Sequence, residues 1–142
     1  MNRRVVFDTS TLVSAALRPG SIPHQALIAA FAIYDLCGSA ETLTELERVL
    51  LNEKFDRYLN RKLRKQFIDL MHRHIHLFAV RNEDVLSVRP PCRDPKDKQF
   101  LALTVVAEAG ILVSSDEDLL VLHPRNNVVI LNPALFLAQS QT

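Results

Sequence analysis

Short runs of β-branched and apolar residues alternate along this chain with longer stretches of helical periodicity. The short β-branched and aromatic run from Arg4 to Phe7 predicts a first strand. Residues 8–10 offer caps for a helix over roughly 11–17, which Arg18-Pro19-Gly20 closes. Pro23 suits the first turn of a second helix over 24–31, and residues 33–37 predict a second strand. Ser39 or Thr42 opens a helix to about residue 51, a basic amphipathic helix covers about 60–73, and a third strand follows at 76–80. Residues 82–93, with Pro90-Pro91, predict a loop. Asp94-Pro95 starts a helix that runs to about 109 and stops at Gly110, and residues 111–113 predict a fourth strand. A helical turn at 118–122, a last strand at 128–131 and a helix from Pro133 complete the order. Strands separated by helices imply a parallel α/β sheet covered by helices on both faces. The apolar segment 134–138 would dock on this core or on a partner.

Composition narrows the class. A chain of 142 residues suits one domain, and 48% hydrophobic residues suffice for a core. The net charge of +1 gives no global field for nucleic acid, so such binding needs a local patch. Cys37 and Cys92 have no metal-type spacing and read as thiols in a reducing compartment. There is no signal-type apolar run near the start and no stretch long enough to span a membrane, so the expected location is the cytoplasm.

The chemistry lies in the acids. Asp8 directly follows the first strand, and Asp116 follows the fourth across Ser114-Ser115. In a parallel sheet both belong at the carboxyl edge, where α/β folds bind ligands. Each also has a structural reading. Asp8 and Asp116 suit helix caps, and Asp94 suits an N-cap ahead of Pro95, with Asp97 in the first turn. Asp118 shares both readings of Asp116. Glu45 borders a helical stripe of Leu43, Leu46, Val49 and Leu50; on spacing alone it reads as a solvated residue that Glu41 and Glu47 rival. Clustered carboxylates repel one another unless a cation is present, and an oxygen-only site without His or Cys points to Mg²⁺ or Mn²⁺.

The segments RVVFDTSTLVSA, TLTELERVL, CRDPKDKQFLAL and LVSSDEDLLVL together closely resemble the PIN domain, above all its VapC-like bacterial branch of toxins from toxin–antitoxin systems. The resemblance runs from Val5 to about Leu131. It implies a three-layer α/β/α sandwich with a central parallel sheet, and a Mg²⁺- or Mn²⁺-dependent endoribonuclease. The family's catalytic, metal-holding acids match Asp8, Glu45, Asp97 and Asp116. Asp94 and Asp118 match assisting acidic positions, and Thr9 or Ser10 matches a hydroxyl after the first Asp. The resemblance further implies an RNA substrate, a cognate antitoxin protein and a homodimer. One departure is Ala107-Glu108-Ala109-Gly110, where the branch carries an Asp before the strand.

Positive charge is concentrated in Lys54, Arg57, Arg61, Lys62, Arg64, Lys65 and Arg73, a candidate phosphate-tracking face; Arg93, beside Asp94, is a further candidate. Among these, Arg61, Lys62, Lys65 and Arg93 are the expected RNA contacts. Phe55, Tyr58 and Phe67 are expected to face the core, which leaves base stacking without support. Two other strand–Asp enzymes and signalling folds fit worse. A haloacid-dehalogenase-type phosphatase needs an acid where Ser10 stands, and a receiver domain needs an acidic pair at the first strand and a Lys after the last. The alternative of another class is a catalytically inactive or repressed module of the same fold that binds RNA or an antitoxin.

Overall fold

The computed structural model describes residues 2–89 and 94–141. Five short strands form one sheet: β1 (Arg4–Phe7), β2 (Asp35–Gly38), β3 (His76–Leu77), β4 (Ile111–Val113) and β5 (Val129–Leu131). Their order is β3-β2-β1-β4-β5, and every pairing is parallel. The chain thus builds outward from β1 to β3, then returns to add β4 on the other side of β1. The switch between these two directions lies at the β1–β4 boundary, the place where open α/β sheets bind ligands.

The two-residue period of a strand explains the layers. Val5, Phe7, Leu36 and Val113 enter one buried cluster, while Val6, Cys37, Leu112 and Ile130 enter another. The first cluster is completed by α1 (Thr9–Leu17), α2 (Ile22–Ile33), α3 (Ala40–Leu50) and α4 (Arg61–His74), and by Phe136 of the last helix. The second is completed by α6 (Pro95–Val106) and by Leu119 of α7 (Glu117–Leu120). A sheet apolar on both faces needs helices on both, and the result is the expected α/β/α sandwich. The last helix, α8 (Pro133–Ser140), settles on its own core: Phe136 is fully buried, with its ring 5.5 Å from Phe7 and 5.2 Å from Tyr34.

Helix starts follow the capping logic. Ser39 and Thr42 form a capping box at α3, and Asn60, Ser21 and Asn132 cap α4, α2 and α8. The structure departs from expectation at three places. Residues 82–86 form a short helix, α5 (Asn82–Leu86), where a loop is expected, with the Arg81 backbone N–H donating to Asp84 Oδ2 at 2.8 Å. One turn with two apolar residues is too short to display a period. The third strand has two residues rather than five, because exposed His76 and Leu77 form an edge that little packing extends. The end of α6 is also different: Glu108, not Gly110, holds the left-handed conformation at φ 53°. Gly110 instead enters β4, its N–H bonded to Arg4 O. Gly38 serves a close approach, since a Cβ there would sit 2.6 Å from Ile75 Cδ1.

Candidate metal-dependent nuclease site

Phe7 pairs with Val113, so the next residues of β1 and β4 emerge side by side at the carboxyl edge. Asp8 and Ser114 are those residues. The Asp8 N–H bonds to Val113 O at 3.1 Å, and the Ser114 hydroxyl donates to Asp8 Oδ2 at 2.5 Å. Asp8 Oδ1 accepts the Thr11 N–H at 3.0 Å and so caps α1. Ser114 Oγ in turn accepts the Asp116 N–H at 2.9 Å, which fixes the turn leading to α7. Asp116 caps α7 by accepting the Asp118 N–H, and Asp94 caps α6 by accepting the Lys96 N–H, each at 2.9 Å. Three helices therefore begin with an aspartate, and each start is a structural and a chemical feature at once. The positive end of each short dipole offsets part of the carboxylate charge.

These caps converge. Asp8, Glu45, Asp94, Asp97 and Asp116 line one cleft of about 560 Å³ with Thr9, Ser10 and Lys96, against an apolar wall that includes Val13, Leu17 and Val49. Of the expected residues, Asp118 stays outside the lining, although its charge reaches Asp97. Glu41 and Glu47 are exposed and do not line the cleft, so Glu45 is the acid of α3 that faces it. Arg61, Lys62 and Lys65 lie exposed on α4 and do not line the cleft. Arg93 and Cys92 lie outside the described residues.

Electrostatics mark the cluster as frustrated. Burial drives the Asp8 carboxyl above its ordinary value, against the opposing hydrogen bonds from Ser114, Thr11 and Ser10. Asp97 is pushed up to about 6, first by burial and then by the carboxylates of Asp116, Asp94, Asp8 and Asp118. Glu45 goes the other way: a hydrogen bond from Arg48 outweighs its partial burial and, with Lys96 adding to it, holds Glu45 below the usual range. Arg48 Nη2 and Lys96 Nζ lie 2.8 and 3.2 Å from Glu45 Oε1.

The donor set suits a hard divalent cation in type, since it is carboxylate and hydroxyl oxygen throughout. One buried atom also lacks a partner there: Thr9 Oγ1, next to Asp8 on the cleft wall, makes no hydrogen bond. Among the described residues, however, no three His, Cys, Asp or Glu side chains gather closely enough to surround one ion. Both Asp8 oxygens are engaged, and Glu45 is held by two cations. Mg²⁺ keeps several waters, so one or two direct carboxylates with water-bridged neighbours remain compatible with this arrangement.

Two expectations are corrected here. Tyr58, expected in the core, is 56% exposed and lines the cleft beside half-buried Phe55; Phe67 does pack on the core. Arg64, grouped with the phosphate-tracking cations, is fully buried and donates to the carbonyls of Leu50, Asn52 and Leu59 and to Asp56. Ser114 went unnoticed in the sequence. Its signal was the register: a hydroxyl one residue beyond a strand that pairs with the strand before Asp8.

Comparison with known proteins agrees with the fold. A curated relative, the uncharacterised protein MJ1680 of Methanocaldococcus jannaschii, is 25% identical over 134 residues, covering 91% of this chain and 81% of the relative. Among solved structures, PAE2754 from Pyrobaculum aerophilum matches with a TM-score of 0.65 at 16% identity, over 99% of this chain and 98% of that one. VapC20 of Mycobacterium tuberculosis, a sarcin–ricin-loop-cleaving toxin, matches with a TM-score of 0.59 at 12% identity, over 88% and 98%. The PIN domain family model matches residues 4–118, a span that begins with β1 and ends just beyond Asp116, and by that match the chain belongs to the PIN domain family.

Proposed function

We propose that this protein is a Mg²⁺- or Mn²⁺-dependent endoribonuclease that hydrolyses RNA phosphodiester bonds. The observation that carries the reading is the convergence of Asp8, Glu45, Asp94, Asp97 and Asp116 on one cleft at the switch point of the sheet. Asp8, Asp97 and Asp116 would hold the ion directly or through water, with Asp94 and Asp118 adding negative field. A divalent ion supplies there a lowered water pKa and neutralisation of the phosphate oxygens. Glu45, held ionised by Arg48 and Lys96, orients the attacking water or binds a second ion. Thr9, with its unpartnered hydroxyl, or Ser10 fixes a phosphate oxygen or a water. The products are a 5′-phosphate and a 3′-hydroxyl.

The toxin role, a cognate antitoxin and a homodimer are what the resemblance to the VapC-like branch implies, and the cytoplasm is the location expected from the sequence; VapC20, similar in fold, is itself a toxin that cuts the sarcin–ricin loop. No helix among the described residues is long and apolar enough to cross a membrane. The decisive experiment compares Mn²⁺-dependent cleavage of single-stranded RNA by the wild type and Asp8→Asn. Asn caps helices about as well as Asp, so the variant is expected to fold and to lose cleavage. Equal cleavage by both would overturn the assignment.

One observation favours a second reading, a binding module without catalysis: the acids are not gathered around a single point. Calorimetric titration separates the two. Mn²⁺ binding that Asp8→Asn abolishes supports the nuclease, and no Mn²⁺ binding supports the module.

A further inference from the structure

The lip of the acidic cleft carries an unexpected surface. The α3–α4 connection presents Phe55 and Tyr58 to the same cleft as Asp8, Asp97 and Asp116. Their rings lie 6.4 Å apart and tilted. Cations accompany both: Lys54 Nζ is 5.1 Å from the Phe55 ring centre, and the Arg57 guanidinium is 5.2 Å from that of Tyr58. Phe55 packs partly on the core, whereas Tyr58 is more than half exposed, so burial does not account for its place.

The segment is held rigidly. Fully buried Arg64 donates to the carbonyls of Leu50, Asn52 and Leu59, at both ends of the connection, and to Asp56 within it. Tied by a buried guanidinium, residues 51–60 have their backbone restrained on both sides of the exposed ring. Preorganised aromatics of this kind lose little entropy on binding. The floor of the cleft is acidic, and the lip carries Lys54 and Arg57 beside its two rings; of the two acids in the same connection, Asp56 is paired with Arg64 and Glu53 sits next to Lys54. A negatively charged strand is repelled by the floor except where a cation bridges it, and meets Lys54 and Arg57 at the lip.

We propose that Tyr58, backed by Phe55 and flanked by Arg57 and Lys54, stacks an unpaired nucleobase next to the phosphate being cut. The ring provides a base-tolerant platform, and the cations meet the adjoining phosphates. Stacking on an exposed ring needs a base free of a duplex, so the platform selects single-stranded or looped RNA. This proposal rests on the nuclease reading for its orientation, but its test does not need cleavage.

The chain contains no tryptophan, so Tyr58→Trp introduces a single fluorophore at the lip. In EDTA, where no metal-dependent cutting competes, a single-stranded RNA dodecamer is expected to quench its emission. The same strand made abasic, or annealed into a duplex, is expected to leave the emission unchanged. By fluorescence anisotropy of labelled RNA, Tyr58→Leu should weaken binding about tenfold, while Tyr58→Phe stays within about twofold of wild type. Quenching without cleavage by the wild type in Mn²⁺ would retain the platform and remove the nuclease. Cleavage by the wild type, with Tyr58→Leu binding as tightly and no quenching in Tyr58→Trp, would remove the platform and retain the nuclease.

Discussion

Asp97→Asn is expected to make the metal-free protein more stable. Asp97 is buried in the first turn of α6, and its carboxyl is raised from an ordinary 3.8 to about 6 by burial and four neighbouring acids. The folded protein therefore holds a proton between those pH values that the unfolded chain has released. Stability falls as pH rises through that window, and above it the penalty is complete. The undiscounted shift corresponds to about 3 kcal/mol at 1.36 kcal/mol per unit. The cleft opens to solvent, and screening reduces this to about 1.5–2 kcal/mol. Asn keeps the shape but gives up the attraction of a carboxylate to the helix N-terminus, about 0.5 kcal/mol. The cost of the charge, from burial and then from repulsion, wins, with a net gain of about 1 kcal/mol. For a chain of this length the unfolding entropy is about 0.3 kcal/mol/K, so Tm rises by about 3 °C.

Thermal unfolding followed by circular dichroism, in EDTA at about pH 8 and about pH 4, checks this. The variant should melt higher at pH 8 and lose its advantage at pH 4, where wild-type Asp97 is largely protonated. Saturating Mn²⁺ should then invert the order, since an ion at 100 times its Kd adds about 2.7 kcal/mol to a protein that binds it. A variant less stable than wild type at pH 8 without metal, or an advantage equal at both pH values, would refute the picture of a self-repelling cluster.

Ser114→Ala removes the hydroxyl that donates to Asp8 and accepts from the Asp116 N–H; it should cost about 1.5–3 kcal/mol in urea unfolding and move the pH midpoint of Mn²⁺ binding upward, read by calorimetry. Arg64→Met removes the guanidinium donor from the carbonyls of Leu50 and Leu59, leaves Asn52 O with the Phe55 N–H alone, and takes the cation from Asp56; a loss of about 2–4 kcal/mol is expected, with faster amide exchange across residues 51–60. Phe136→Ala empties a fully buried site against Phe7 and Tyr34 and should cost about 3–5 kcal/mol by denaturant titration.

The strands β1 and β4 were legible to within a residue because each is an unbroken apolar run that ends in polar turn chemistry. The helices α1, α3 and α6 were legible from caps at their starts, α4 from its basic amphipathic pattern and α8 from Pro133 in its first turn. The parts that escaped have a common cause, since they depend on contacts between segments far apart in sequence. Tyr58 looks like a core aromatic within its own segment, and only the packing of α3 against α4 turns it outward. Arg64 looks like a surface cation, yet it is buried and donates to the carbonyls of Leu50, Asn52 and Leu59. Ser114 is an ordinary turn residue until the register of β1 and β4 places it against Asp8. Glu45 was separated from Glu41 and Glu47 by resemblance alone; the fold then makes the distinction physically, by turning one face of α3 to the cleft.

The competition between capping and chemistry turns out to be no competition. Each of Asp8, Asp94 and Asp116 was weighed as either a cap or a functional acid, and each caps a helix while lining the cleft. The reason is geometric. α1 begins where β1 ends and α7 where β4 ends, so a residue that caps either helix stands at the carboxyl edge. A cap uses one carboxylate oxygen, and an N-terminal dipole makes a neighbouring negative charge tolerable. The sheet's switch point and the helix starts coincide, so the residues that begin these helices are also those that line the cleft. At Asp8 the carboxylate carries a cost, visible in its raised carboxyl, because burial disfavours the charge and neutral Asn would cap about as well without it. Charge, rather than capping, is therefore what distinguishes Asp from Asn at such a position, and negative charge is what a divalent ion would require.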